Sequence, residues 1–337
     1  MSRVCGLLLF LFLSGNALPS VAGSAKPTDK ISGFVLTTHD LQCDRPKENY
    51  IEVDHTRFRY VDYGTGPAVV LIHGNAGSIE EFDFKSLGPL CRDHRVIAFD
   101  RPGHGKSARP ADLDATLEVQ TRLLHESLSD LGVTQPVLVG HSWGGSLALA
   151  YALQYPNEVS GIVLLAPAAY PDGGADEFMR AWLKTPVVGD VSLTLGRLLV
   201  GKHLLKKELK RAFYPDDVPE DYLRHASSSW LHHKQMRAIL EDEWSLDKDV
   251  SKTSKHYSDI RIPVVIVTGD HDKVVSPRDN AFRLKSSIAQ SQLIELKNTG
   301  HQVPQTHPES IYNAVSLIPK AAAQRRWSDG AAQVDHP

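Results

Sequence analysis

The chain carries a serine between glycines in the motif Gly140-His141-Ser142-Trp143-Gly144-Gly145. The apolar run Val137 to Val139 precedes it, and an Ala- and Leu-rich stretch that ends at Pro156 follows. The motif thus joins a buried strand to a helix. A serine on so tight a turn projects its hydroxyl, and the glycines avoid collisions with neighbouring backbone. The motif predicts Ser142 as a nucleophile, with an ordinary strand-to-helix turn as the plain alternative.

A serine hydroxyl is a weak nucleophile, so it needs a base that an acid orients. Of the 16 histidines, His301 follows the last apolar run and precedes the last helical pattern, where a loop can hold it over Ser142. His141 is adjacent, but its side chain is expected to point elsewhere. Asp270 and Asp272 directly follow an apolar run, and the chain order serine, acid, histidine suits this chemistry. One of the two aspartates is expected to be the acid and the other a turn residue.

Such chemistry also needs two N–H donors for the developing oxyanion. The backbone N–H of Trp143, next to the nucleophile, is one expected donor. The other is expected from the loop His73-Gly74-Asn75-Ala76-Gly77, whose glycines let backbone approach a ligand closely. Asn75 is the predicted donor in that loop, and losing one such donor typically costs ~3 kcal/mol of transition-state stabilisation.

Short apolar runs alternate with helical patterns from Tyr50 onward, after a predicted hairpin around Asp54-His55. The runs are Ala68 to Ile72, Val96 to Phe99, Val137 to Val139, Ile162 to Leu165 and Val264 to Val267. Helical patterns cover Leu113 to Leu131, Trp143 to Tyr155 and Pro308 to Ile318. This alternation predicts an α/β fold with a mostly parallel central sheet and helices on both faces.

The strand pattern stops between Ala169 and Ile260, which predicts an α-helical insertion with segments near 178–183, 193–213, 220–230 and 235–244. Its leucines either line an acyl pocket or, as we prefer, pack the insertion onto the core; they are Leu193, Leu195, Leu198, Leu199, Leu204 and Leu205. The basic run Lys202 to Arg211 is predicted to be a solvated helix face, with contact to a membrane surface as the alternative. The acidic run Glu241 to Glu243 is likewise predicted to be solvated, with recognition of a free amine as the alternative.

Arg3, the apolar run Val4 to Leu13 and the small residues that follow predict a cleaved signal peptide over 1–25, and therefore a secreted or periplasmic protein. The 37 basic and 40 acidic residues leave a net charge of −3, which gives no indication of a nucleic-acid partner. Export leaves Cys43 and Cys91, which either form one disulfide or, as we slightly prefer, remain unpaired, with Cys91 buried. No Cys/His cluster has metal-ligand spacing.

Five motifs in this order resemble the α/β-hydrolase superfamily, over about Tyr50 to Ile318. They are His73 to Gly77, Phe99 to Ser107, the turn at Ser142, Gly269 to Asp272 and Gly300-His301. The resemblance implies an α/β-hydrolase core formed by 26–169 and 261–323, a helical cap at 170–260 and a flexible tail at 324–337. It selects Asp272 as the acid, because the family's acid usually ends a G-x-x-D pattern. It also implies a packing role for His104.

Departures from related families narrow the activity. Haloalkane dehalogenases and epoxide hydrolases carry Asp where this chain has Ser142, which disfavours both activities. Proline iminopeptidases carry an H-G-G-P-G loop where this chain has 73–77, but the run after Ser142 is like theirs, so an aminopeptidase stays an alternative. A binding protein with slow turnover is another. We predict a serine hydrolase that cleaves small-molecule carboxylic esters through an acyl-serine intermediate, with no cofactor or metal.

Overall fold

The computed structural model describes residues 47–82, 87–173, 185 and 188–318. The predicted signal peptide, Cys43 and the predicted tail lie outside these residues. Within them, eight strands form one sheet in the order β1-β2-β4-β3-β5-β6-β7-β8. The strands are β1 Glu48–Val53, β2 Thr56–Tyr63, β3 Ala68–Ile72, β4 Arg95–Phe99, β5 Val137–His141, β6 Gly161–Leu165, β7 Val264–Gly269 and β8 Gln292–Leu296.

Strands β1 and β2 form an antiparallel hairpin, and β2 is also antiparallel to β4. The two turn residues Asp54 and His55 have φ angles of 47° and 58°, the left-handed geometry of a two-residue hairpin turn. From β4 to β8 every neighbouring pair is parallel. The predicted hairpin and the predicted mostly parallel α/β sheet are both confirmed.

The middle of the sheet is buried on both faces, and every residue of β5, β6 and β7 is buried. Alternate residues of β3 therefore join opposite hydrophobic clusters. Val70 and Ile72 belong to a cluster that includes Leu124 and Leu147, whereas Val69 and Leu71 belong to one that includes Ile311. Burial on both faces explains why these strands are continuous apolar runs in the sequence.

The helices lie between the strands and after them. Their bounds are α1 Gly88–Asp93, α2 Leu117–Asp130, α3 Trp143–Gln154, α4 Val188–Gly196, α5 Lys202–Phe213, α6 Glu220–Ser229, α7 His233–Thr253, α8 Arg283–Ser287, α9 Val303–Thr306 and α10 309–318. The expected start of α2 at Leu113 was wrong. Thr116 takes extended backbone and its side chain accepts a hydrogen bond from the Val119 amide, so this N-cap starts the helix four residues later.

A helical insertion, α4 to α7, lies between β6 and β7. A five-residue π-helical turn, Arg197–Gly201, joins α4 to α5, and the flanking residues keep helical backbone angles. Residues 188–213 therefore form one continuous helix. Helix α7 is longer than the expected 235–244, and the segment expected near 178–183 lies outside the described residues. A small apolar cluster that includes Leu205, Leu209 and Phe213 holds α5 against α6.

The preferred packing of all six insertion leucines onto the core was wrong for three of them. Leu193 and Leu205 are buried, but Leu195, Leu198 and Leu199 are 52%, 68% and 76% exposed. At 100° per residue these three leucines lie roughly opposite Leu193, so one helix cannot turn all six towards the core.

Helix α1 holds Cys91, which is disulfide-bonded and 8% exposed. The preferred prediction that the cysteines remain unpaired was therefore wrong for Cys91, and the alternative of a disulfide applies. Its burial was expected correctly.

Candidate active site

Ser142 occupies the single residue between β5 and α3, with φ 52° and ψ −114°. A non-glycine residue rarely adopts this left-handed backbone, which strains the turn. A Cβ added at Gly140 would lie 2.2 Å from the Gly144 carbonyl oxygen, and one at Gly144 would lie 2.3 Å from the Ile72 carbonyl oxygen. Only glycines fit these two positions, so the surrounding backbone fixes the turn and projects the serine side chain.

His301 and Asp272 form a buried hydrogen bond, with 2.7 Å between Nδ1 and Oδ2. The other carboxylate oxygen of Asp272 accepts bonds from the amides of Val274 and Val275, at 2.7 Å and 2.8 Å. The carboxylate is thus held in place and accepts a hydrogen bond from the Nδ1–H group of His301. In a neutral imidazole this leaves Nε2 free to accept a proton. His301 and Ser142 line the same cavity.

Asp270, the competing aspartate, contacts other groups. Its Oδ1 lies 2.7 Å from Nδ1 of His271 and accepts a bond from the Thr299 amide at 3.3 Å. It therefore fastens the turn after β7 to the loop before His301. The structure brings Asp272, rather than Asp270, to His301, and the catalytic roles stay predictions.

The loop after β3 lies directly against the serine. A Cβ added at Gly74 would lie 3.2 Å from the Ser142 Cβ, and Asn75 lines the cavity with Ser142 and Trp143. The amide of Trp143 is in the first turn of α3, where a helix provides no acceptor. Both predicted donor residues therefore lie beside the nucleophile.

Helix α7 binds the side chains of both predicted donor residues. Asn75 donates to the Ile239 carbonyl at 3.1 Å and to Glu243 Oε2 at 3.3 Å. The Trp143 indole N–H donates to the Asp242 carbonyl at 3.3 Å. The insertion is thus part of the support that positions these residues.

A second Glu–His pair lies behind the site, and the sequence analysis did not find it. Glu81 and His141 are 2% and 1% exposed. His141 Nδ1 lies 2.7 Å from Glu81 Oε1, and its Nε2 lies 2.9 Å from the His301 carbonyl oxygen. Both neighbours are acceptors, so both ring nitrogens must donate, which describes an imidazolium paired with a carboxylate.

The electrostatics favour the same assignment. Burial alone would lower the pKa of His141, but the Glu81 carboxylate together with the His301 carbonyl and the Asp272 carboxylate raises that pKa overall. Glu81 also accepts a bond from the Gly74 amide at 2.9 Å. The pair therefore connects the loop that holds Asn75 to the backbone of His301. No motif marks Glu81, because a lone glutamate in a loop usually indicates solvent exposure.

Asp242 was expected on a solvated face, which was wrong: it is fully buried. It pairs with Arg101 and Arg109 at 2.5 Å each, and with His104 Nε2 at 2.9 Å. Burial would raise the pKa of Asp242, but the two guanidinium groups hold it well below its usual range. Burial lowers the pKa of His104 to about 4. His104 thus packs and hydrogen-bonds, as the resemblance implied.

The cavity above Ser142 has a volume of about 680 Å³. One wall is apolar and comes mostly from the insertion; it includes Leu193, Leu204, Leu205, Leu231, Met236 and Ile239. For the first three of these leucines, the alternative that they line a pocket therefore applies. Asp172, Glu243 and Asp247 also line the cavity. Burial, with the nearby Asp172 carboxylate, raises the pKa of Glu243 to about 7. A projecting hydroxyl, an oriented imidazole and nearby backbone donors together suit attack on an acyl carbon.

Comparisons with known proteins agree with this fold. Lipase 1 of Psychrobacter immobilis is 24% identical over 307 residues, which cover 89% of this chain and 92% of the lipase. The uncharacterized hydrolase YugF of Bacillus subtilis is 29% identical over 252 residues, covering 72% of this chain and 86% of YugF. An α/β-hydrolase-fold crystal structure from Burkholderia ambifaria, 24% identical, has a TM-score of 0.67 and covers 79% of this chain and 96% of its own.

A family model described as the alpha/beta hydrolase fold matches residues 67–308. That range begins just before β3 and includes Ser142, Asp272 and His301, and the predicted resemblance is confirmed. The chain belongs to the α/β-hydrolase family, and it is a hydrolase of that superfamily.

Proposed function

We propose that this protein is an exported serine hydrolase that cleaves carboxylic esters through an acyl-serine intermediate. The observation that carries the proposal is the placement of Ser142, on a strained turn, in one cavity with a histidine whose Nδ1 is bonded to Asp272. The lipase among the relatives supports ester substrates.

In this proposal His301 Nε2 takes the Ser142 proton as the hydroxyl oxygen attacks the ester carbonyl carbon. The backbone N–H groups of Trp143 and Asn75 donate hydrogen bonds to the oxyanion that forms. His301 then gives the proton to the leaving alcohol, and the acyl group stays on Ser142. Water repeats the attack with the same base and releases the acid. The apolar wall of the cavity suits an apolar acyl group.

The test is turnover of p-nitrophenyl esters of graded acyl length by the mature protein. Ser142→Ala is expected to reduce turnover by ~10⁴-fold or more, whereas Ser286→Ala, on the exposed side of α8, is the matched control. An aryl phosphonate should add to the peptide that contains Ser142, detected by mass spectrometry. Full turnover by Ser142→Ala, or an adduct elsewhere, would contradict the proposal.

An aminopeptidase is the second candidate, because Asp172, Glu243 and Asp247 line the cavity and can bind a cationic amine. Of the acidic run that suggested this reading, only Glu243 reaches the cavity. Release of an amino-acyl arylamide without ester turnover would favour the aminopeptidase. Ester turnover without arylamide release would favour the esterase.

Export is supported by the disulfide-bonded state of Cys91, because disulfides persist mainly in oxidising compartments. N-terminal sequencing of protein recovered from the medium or periplasm of an expressing bacterium tests this part. A mature N-terminus just after Ala22 or Ala25 is the expected result. An intact Met1 in the cytoplasmic fraction would overturn it.

A further inference from the structure

The outer side of the helix 188–213 exposes a cluster of large apolar side chains. Val191, Leu195, Leu198 and Leu199 are 52%, 52%, 68% and 76% exposed. Of the seven large apolar side chains exposed among the described residues, four lie on this one segment. We call these four residues the apolar face. A contiguous exposed apolar face usually marks a binding surface rather than chance exposure.

Basic residues follow the apolar face along the same helix. Lys202, Lys206, Lys207 and Lys210 are all exposed. None of these four lysines forms an ion pair with the residues that the structure describes. Lys202 lines the same surface groove as Leu198 and Leu199, and Lys206 follows Lys202 by one turn of the regular helix α5, so cations border the apolar face. Apolar side chains beside unpaired lysines complement a surface that offers both acyl chains and phosphates.

The inner side of the same helix lines the active-site cavity, through Leu193, Val200 and Leu204. A groove on its outer side contains Leu198, Leu199 and Lys202. Val200 and Leu231 line both the groove and the cavity. The apolar face is therefore separated from the cavity by the thickness of one helix.

We propose that the apolar face and its lysines bind the surface of an anionic lipid assembly and hold the active-site cavity against it. The helix would lie in the lipid–water interface. Among the described residues, no helix is both long and apolar enough to cross a bilayer. This binding needs no catalysis, so it stands or falls separately from the proposed ester hydrolysis.

The experiment is co-sedimentation of the mature Ser142→Ala chain with vesicles of phosphatidylcholine alone, or with one quarter phosphatidylglycerol. The inactive chain prevents hydrolysis of the vesicles. Binding to the anionic vesicles is expected to fall at least ~10-fold in Leu198→Gln/Leu199→Gln, because two largely exposed leucines lose their apolar contact. Lys202→Gln/Lys206→Gln is expected to lose about fivefold per lysine on anionic vesicles and little on neutral ones.

Controls separate surface binding from misfolding. Tyr50→Gln removes an exposed aromatic side chain from the edge strand β1 and should bind like the parent chain. Lys252→Gln/Lys255→Gln removes two exposed positive charges that lie outside the apolar face, and this variant should also bind like the parent chain. With Ser142 intact, Leu198→Gln/Leu199→Gln should hydrolyse p-nitrophenyl acetate at the parent rate, which shows that the fold is kept.

Three outcomes would overturn the proposal. The first is parent-level vesicle binding by Leu198→Gln/Leu199→Gln, and the second is no binding by the parent chain. The third is a parent chain that sediments as a dimer in solution while this variant is monomeric, because the face would then be an interface between two copies.

Discussion

At the scale of residues, the site rests on a buried ion pair as well as on the three predicted catalytic side chains. His141 donates from both ring nitrogens, to Glu81 and to the backbone of His301, and its ring centroid lies 4.8 Å from that of His301. Glu81 therefore compensates a charge that would otherwise be costly to bury.

Glu81→Gln tests this positioning role. The amide keeps the shape and an acceptor but removes the negative charge, so His141 is expected to lose a proton and with it one of its two hydrogen bonds. A small displacement of His301 or of the Asn75 loop should then reduce kcat about 10- to 100-fold, with KM within about twofold. Steady-state kinetics on a soluble ester measures both constants.

Glu80→Gln is the matched control, because Glu80 is the preceding residue but bonds Arg59 and Ser78. It should leave kcat unchanged. The ¹⁵N chemical shifts of the His141 ring provide a second readout: both nitrogens should be protonated in the parent chain and only one in Glu81→Gln. An unchanged kcat in Glu81→Gln would refute the positioning role.

Glu243 gives a pH-dependent prediction. Burial raises its pKa from 4.5 to about 7, so the folded state keeps a proton that the unfolded chain gives up at lower pH. The free energy of unfolding should therefore fall as the pH rises from about 5 to 7. Gln cannot ionise, so Glu243→Gln should gain more than about 1 kcal/mol relative to the parent between pH 5 and pH 8.

Urea unfolding at the two pH values measures this difference. Glu241→Gln is the control, since Glu241 is half-buried and lies two residues earlier on α7. Its free energy of unfolding should differ from that of the parent by the same amount at both pH values. A constant offset for Glu243→Gln would mean that its carboxyl titrates alike in the folded and unfolded states.

The sequence could predict the residues that the structure brings together around Ser142. Ser142 and His301 stand in short patterns beside strand ends, and the chain order restricts the acid to a pair of aspartates. Glu81 and Gln235 have no such pattern. Their partners, His141 and the Gly77 carbonyl, become neighbours only after folding, so sequence spacing carries no signal for them.

At the scale of elements, α7 is the part of the insertion that the core binds most extensively. Asn75 and Trp143 donate to its backbone carbonyls, Gln235 reaches the loop after β3, and Asp242 enters the core. Asp242 pairs there with two guanidinium groups that are themselves buried. We therefore expect α7 to behave as part of the core.

Asp242→Asn is expected to destabilise the protein by about 3–5 kcal/mol, because it leaves two buried guanidinium groups without a counter-charge. Glu241→Gln is the matched control: its contact with Arg109 is half-buried and 3.3 Å long, and its loss should cost under about 1 kcal/mol. Denaturant unfolding measures both values. Equal effects of the two substitutions would show that burial of the charge cluster is not what stabilises α7.

The sequence predicted best the positions of the strands that are buried on both faces of the sheet. The central strands β3 to β7 are apolar along most of their length, so their runs predicted them within about two residues. Helix ends were less accurate, because a cap such as Thr116 is a single hydrogen bond. The length of α7 was missed, since the charged residues around Asp242 resemble those of a solvated face.

At the scale of the whole molecule, the apolar interior is unevenly distributed. Two large clusters cover the two faces of the sheet, while only a small one holds α5 and α6 together. Helix α4 and the π-helical turn contribute little to any of them, and their outer side chains are exposed. Stability should therefore differ between the sheet and this outer helix.

Native-state hydrogen exchange should show the difference. Amides of 188–201 are expected to exchange at least ~100-fold faster than those of α3, because they open locally while the core stays folded. Amides of α7 between Gln235 and Asp249 should resemble α3, which serves as the internal reference. Uniform protection across α4, α7 and α3 would contradict this division.

The turn at Arg197–Gly201 has one more consequence. A π-helical turn spans i to i+5 rather than i to i+4, so it contains about one residue more than a regular turn. Deleting a single residue there would therefore restore a regular α-helix and leave the residues before it nearly in phase with α5. Leu193 would stay at the cavity, and Val191 and Leu195 would stay on the outer side. A deletion elsewhere in 188–213 would instead rotate one part of the helix against the other by about 100°. The turn is thus the place where this helix can lose a residue and still keep both of its faces.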